Sequence, residues 1–171
     1  MKREHVIALT LIAILLASVV FAPVPGDTRW IRTLHNSAHA PIFGCVSLLT
    51  LLVSRSHARM RSLGVFAQYL LALAAALGLG AITELLQIPA GRDASLEDIL
   101  HDVIGSLGFL GVFAAFDTRV RSLPQSAPIR FAAAVVGLVS LGIAAAPVTR
   151  SAIEYRQRDA RFPVLIDVSQ R

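Results

Sequence analysis

Five blocks of this chain, residues 6–22, 39–53, 63–88, 99–116 and 131–148, are apolar over lengths that a water-soluble core does not call for. A helix needs about 20 residues to cross the hydrocarbon of a bilayer, with about 17 as a lower limit. The second block is short by that measure and must borrow polar residues at one end. Inside hydrocarbon every backbone N–H and C=O has to be paired within the protein, which leaves only helices or a closed barrel. The roughly ten-residue alternation of barrel strands is missing. The expectation is therefore all-α, a polytopic membrane bundle of five transmembrane helices. Composition agrees, with 55% of the 171 residues hydrophobic and 16% charged, against about 25% charged in a soluble domain. An ordinary cytosolic enzyme and a disordered tail protein are both excluded.

All but one of the sixteen basic residues are arginine, and they punctuate the apolar blocks instead of clustering with aromatics. They read as topology signals, and no nucleic-acid partner is expected. Lys2, Arg3, Arg55, Arg59, Arg61, Arg119, Arg121 and Arg130 fall on one side, whereas the opposite short loops hold Arg29, Arg32 and Arg92. This asymmetry puts the N-terminus in the cytoplasm and loops 23–38 and 89–98 outside. The tail, 149–171, then lies outside as well, against the pull of its own arginines, Arg150 the nearest to the membrane. The organisation expected is a membrane domain over 1–148 and a short extracytoplasmic tail over 149–171. Block 6–22 has the basic start of a secretory signal peptide, but Pro23 directly follows the small residue Ala22 and disfavours cleavage, so it is read as a retained span. Within the tail, 153–161 can prolong the fifth helix, and 162–168 reads as an isolated strand. Cys45 stands alone, so no internal disulfide is expected.

Small residues recur at helix-contact spacing: Ala74/Gly78 and Ala76/Gly80, then Gly105/Gly108/Gly111, then Ala133/Gly137 and Gly142/Ala146. They let helices approach closely in lipid. The acidic residues say more. Five of eleven fall between positions 84 and 102: Glu84, Asp93, Glu97, Asp98 and Asp102. Glu84 and Gln87 share a face at the end of the third helix, and Asp98 and Asp102 share one at the start of the fourth, with Gly105 below them. Ser95 and Asp98 have capping-box spacing, which places Asp102 one turn deeper. Arg92, in the intervening turn, can bridge carboxylates on both sides. An ionisable group at membrane depth costs at least ~2.5 kcal/mol and is by default a functional candidate. Capping accounts for Glu97 and Asp98 but not for Asp102.

His39 falls on the same membrane face and is the natural proton carrier of the set. His35 and His39 are one turn apart, but Pro41 prefers the first turn of a helix. The second helix is thus expected to begin near His39, with His35 in the preceding loop. A metal site from His35, His39, Glu84 and His101 is disfavoured on that ground, and neither metal nor cofactor is assigned. The expected binding set is His39, Glu84, Gln87, Arg92, Ser95, Asp98 and Asp102. Glu84, Asp98, Asp102 and His39 are the candidates for any catalysis.

The stretch E-L-L-Q-I-P-A-G-R-D-A-S-L-E-D-I-L-H-D-V-I-G, from Glu84 to Gly105, resembles the VanZ-like family of small polytopic membrane proteins. That family carries E-x-x-Q, a P-x-R or P-G-R turn, an aspartate, then N-x-x-G at these offsets. His39 with Phe43 and Gly44 matches its K-x-x-H-x-x-x-[FY] motif more weakly. The resemblance covers roughly residues 33–116. Asp102 stands where the family usually has Asn, and Asn36 where it often has Lys. The resemblance implies a bacterial inner-membrane protein of the cell envelope, associated with susceptibility to teicoplanin-type glycopeptide antibiotics. Longer relatives continue into an extracytoplasmic β-rich domain, whose opening R-F-P-V-L-I-D-V resembles.

Three functions fit these residues. The first is a pocket for a membrane lipid headgroup or a lipid-linked sugar of an envelope precursor, with Arg92 on phosphate and Glu84, Gln87, Asp98 and His39 on hydroxyls or an ammonium. The second is an interfacial enzyme on a lipid-linked substrate, with Glu84 or Asp102 as general base, His39 as acid and Arg92 as charge clamp. The third is a proton- or ion-coupled transporter, disfavoured by the lack of an inverted repeat.

Overall fold

The structure, a computed structural model, describes residues 3–21, 28–90 and 95–161. Seven helices account for nearly all of them. Five are long and apolar enough to cross a membrane: α1 (Arg3–Phe21), α2 (Arg29–Ser56), α4 (Val65–Gln87), α5 (Leu96–Phe116) and α7 (Ser126–Arg161). Two single-turn helices, α3 (Ala58–Arg61) and α6 (Thr118–Arg121), sit in the arginine-bearing connections, and a 3-10 turn, Ile88–Ala90, ends α4. The chain is a multi-pass all-α membrane protein.

Its surface and interior are inverted relative to a soluble protein. Phe66, Leu70, Leu85, Phe131 and Leu138 each expose more than three-fifths of their surface, while Gln68, Glu84, Gln87, Asp102 and Ser106 are buried. In lipid an apolar side chain gains nothing by leaving the surface, whereas a polar group in hydrocarbon has no water to bond. Helices α2 and α5 form the centre. Helix α5 packs most extensively on α7 and α2, and α1 lies at the edge against α2 and α4.

Glycines set the central contacts. A Cβ on Gly105 would run into the backbone carbonyl of Ala40 on α2, and one on Gly137 would lie 2.5 Å from the Val112 backbone nitrogen on α5. Three of the five small-residue sets work this way. Ala76 and Gly80 are buried, but Ala74 and Gly78 are exposed, and a Cβ on Gly78 or Gly142 would meet nothing within 4 Å. Spacing identifies residues that share a helix face without saying whether that face meets a helix or lipid.

Two helices depart from their expected limits. Helix α2 begins at Arg29, behind an N-cap at Thr28 that accepts from the Ile31 N–H, so Pro41 lies inside it and His35 is helical. Proline is tolerated within membrane helices because neighbouring helices compensate for the lost backbone bond. Helix α7 runs 36 residues, about 54 Å. It passes position 148 without a break, as the charged stretch 153–161 allows. Arg29 pairs with Glu154 at 3.1 Å and the Trp30 and Tyr155 rings lie 5.9 Å apart, so the start of α2 and the end of α7 project together. Expected strand 162–168 lies outside the described residues.

Candidate functional site

The end of α4 and the start of α5 meet α2 at one end of the bundle, and each delivers acidic or imidazole groups there. Buried Thr83, Glu84 and Gln87 share the inner face of α4. On α5, Asp98, Asp102 and Gly105 share a face one turn apart, and it faces His39 and Ala40 of α2. The Gly105–Ala40 contact draws the two helices close enough for His39 Nδ1–H to donate to Asp102 Oδ1 at 3.0 Å, with both side chains buried. Gly80 of α4 leaves room on the other side, since a Cβ there would stand 2.5 Å from Asp102 Oδ2. Phe43 stacks one turn below His39, ring centroids 6.2 Å apart, and packs with Val19 of α1 and Ala76 of α4. The polar cluster thus has an apolar floor.

One ligand atom each from His39, Glu84 and Asp98 lies within 4.8 Å of the other two. Glu84 Oε2 accepts the Ser95 N–H at 2.7 Å, while Ser95 Oγ accepts the Asp98 N–H at 3.3 Å. The capping box is therefore shared between helices. Ser95 caps α5 as expected, but the arm expected from Asp98 comes from Glu84 of α4, which leaves the Asp98 carboxylate to face the cluster. Glu84 Oε1, Asp98 Oδ1 and Asp102 Oδ2 are buried with no hydrogen-bond partner among the described residues.

Of the sequence-derived set, His39, Glu84, Asp98 and Asp102 converge, with Ser95 fixing the approach. Gln87 is adjacent but spends its amide elsewhere, Nε2 donating to the Val19 carbonyl at 3.2 Å and tying α1 to α4. Arg92 and Asp93 lie outside the described residues. His101 turns its Nδ1–H to the Glu97 carbonyl at 2.8 Å, and Asp98 takes the place by His39 and Glu84 considered for it. The His35 ring stands 6.4 Å from that of His39.

The opposite end holds a second polar cluster that reading the sequence missed. Asp117, between α5 and α6, accepts from Arg55 Nη2 at 2.7 Å, Tyr69 Oη at 2.8 Å and the Arg119 N–H at 3.0 Å. Gln68 Oε1 accepts from Arg55 Nε and Arg119 Nη1, and its Nε2 donates to the Met60 and Leu63 carbonyls. Burial alone would push the Asp117 carboxyl up, but hydrogen bonds from Arg55, Tyr69 and the Arg119 backbone, with the Arg55 charge, hold it below the ordinary carboxylate value. Gln68, a polar interruption in the third apolar block, was its one sequence signal. This cluster is internally satisfied and joins the connections that carry α3 and α6, which makes it structural. A crevice of 710 Å³ near it, lined by Leu9, Val53, Met60 and Leu79, is almost wholly apolar and suits lipid chains more than chemistry.

No protein-family model, curated protein or solved structure matches this chain. The class, a five-span helical membrane protein with a buried His–carboxylate cluster at one end, comes from the fold and the site alone.

Proposed function

We propose that this chain is a VanZ-like protein of the bacterial inner membrane that binds a lipid headgroup or lipid-linked sugar at the His39–Glu84–Asp98–Asp102 cluster. One observation carries the reading: three buried carboxylate oxygens at one place, on Glu84, Asp98 and Asp102, have no hydrogen-bond partner among the described residues. A buried carboxylate oxygen left unsatisfied is costly, so the cluster calls for donors from outside, such as sugar hydroxyls or an ammonium. Asp98, half-buried, is its member nearest the surface. The Lys/Arg asymmetry of the loops supports an extracytoplasmic position for it. The motif resemblance supports an effect on teicoplanin-type antibiotics, through altered access to the membrane surface.

Native mass spectrometry of the purified protein tests the reading. A defined lipid or lipid-linked sugar is expected on the wild type and at much lower occupancy on a Glu84→Gln/Asp98→Asn double variant. Heterogeneous bulk lipid at equal occupancy on both proteins would remove the ligand. A matching deletion strain should shift in teicoplanin susceptibility more than in vancomycin susceptibility.

The His39–Asp102 hydrogen bond favours a second reading. A buried carboxylate that fixes an imidazole tautomer is an arrangement used for acid–base catalysis. In that case Glu84, beside the imidazole, is the general base on a lipid-linked substrate, and Glu84→Gln abolishes turnover while leaving binding partly intact.

A further inference from the structure

The two ends of this bundle treat buried carboxylates differently. Asp117 has Arg55, Tyr69 and a backbone N–H. Glu84, Asp98 and Asp102 gather without an Arg or Lys ion pair among the described residues, and each keeps a buried oxygen with no partner there. Glu84 is 98% buried by surface, its exposure being 2%. Among the described residues the cluster therefore offers three carboxylates and an imidazole but no arginine or lysine side chain.

We propose that His39, Glu84 and Asp98 hold a divalent transition-metal ion of the zinc type. One nitrogen and two carboxylates make a donor set suited to such an ion, and three protein ligands leave a coordination position open. The arrangement around His39 is what a metal-ligating histidine needs. Its Nδ1–H is held by Asp102, which leaves Nε2 with its lone pair free to coordinate and sets the ring orientation. A carboxylate behind a histidine ligand is the usual outer-shell partner at zinc sites. Asp102 is therefore a positioning residue. A ring nitrogen of His39 and one carboxylate oxygen each of Glu84 and Asp98 lie within 4.8 Å of one another, and tetrahedral bonds of about 2.1 Å put ligand atoms about 3.4 Å apart, so they must close by up to about 1.4 Å. Rotation of the Glu84 and Asp98 carboxylates, whose Oε1 and Oδ1 are unengaged among the described residues, supplies that movement. The inference deepens the headgroup reading, because an ion with an open position offers an acidic pocket a means of holding lipid phosphate.

Protein purified without a histidine tag, loaded with Zn²⁺ and desalted, is assayed for bound metal by plasma mass spectrometry. The wild type is expected to keep about one equivalent, and His39→Ala or Glu84→Gln almost none. Asp102→Asn is expected to bind roughly 10- to 100-fold more weakly while still filling at high Zn²⁺. His57→Ala is the control, because the His5 and His57 rings stack with centroids 5.6 Å apart and offer a competing surface site. Co²⁺ substitution of the wild type gives a readout that does not depend on a variant folding, with visible bands quenched by Zn²⁺. Retention of the metal by His39→Ala, its loss from His57→Ala, or a wild type with no bound ion and no Co²⁺ bands would each overturn the proposal. A metal-free protein that still carries a defined lipid discards the ion alone, and a metal-loaded protein with only bulk lipid discards the headgroup reading alone.

Discussion

Gly105→Ala adds one methyl group where two central helices touch. Its Cβ would collide with the Ala40 carbonyl, a backbone atom that no rotamer change can move. To regain ordinary contact α2 and α5 must part by about 1 Å or more. Overpacking of this kind costs about 1–3 kcal/mol. At about 2–4 °C per kcal/mol for a chain of this length, the melting temperature should fall by roughly 2–12 °C. The effect should reach the site, because Ala40 adjoins His39 and Gly105 lies one turn beyond Asp102, so parting the helices stretches the 3.0 Å His39–Asp102 bond. Thermal unfolding in detergent, followed by Trp30 fluorescence, measures the loss. Gly142→Ala serves as the control, since its Cβ would meet nothing within 4 Å, and it should melt within about 0.5 kcal/mol of wild type. Equal melting of the two variants would refute the helix contact from which the site geometry is built.

Four further outcomes follow from the same contacts. Asp117→Asn leaves the mostly buried Arg55 guanidinium without its counter-charge and should cost about 3 kcal/mol in detergent unfolding. Since the Asp117 carboxyl titrates lower folded than unfolded, its stabilisation is complete above the unfolded value of about 3.9 and is lost as pH falls through the folded one. Below about pH 4 the wild type should therefore lose melting temperature faster than Asp117→Asn, and parallel acid profiles would contradict this. Gln87→Ala removes the bond to the Val19 carbonyl and should loosen α1 by about 1 kcal/mol, seen as faster proteolysis of the α1–α2 connection. In a Cys45→Ser background, Glu154→Cys should react with an impermeant maleimide added to intact cells and Arg59→Cys should not; the reverse pattern would overturn the proposed orientation.

Much of this architecture was legible in the sequence because lipid leaves few choices. The five spans follow from block length, and the faces shared by Glu84 with Gln87 and by Asp98 with Asp102 follow from helical spacing. What the sequence left open depends on how faces are paired. Pro41 pointed to a helix start, yet the neighbouring helices tolerate it within α2. Ser95 and Asp98 had the spacing of a self-contained cap, but the arm from Glu84 on another helix replaced the local one. Arg55 was read as a topology signal and Gln68 as an interruption, although they bond to each other and Arg55 also bonds to Asp117, 62 positions beyond it. No local pattern encodes a contact over that separation.

The central claim is that the end of α4 and the start of α5 turn their carboxylates toward one another beside His39. Short-span thiol cross-linking in membranes tests it directly, with Cys45 replaced by serine and cysteine pairs placed at 84/98 and at 85/98. Leu85 is the neighbour of Glu84 but is 63% exposed on the outer face. The account predicts an efficient cross-link for the 84/98 pair and almost none for 85/98. Equal yields from the two pairs, or a higher yield from 85/98, would contradict it.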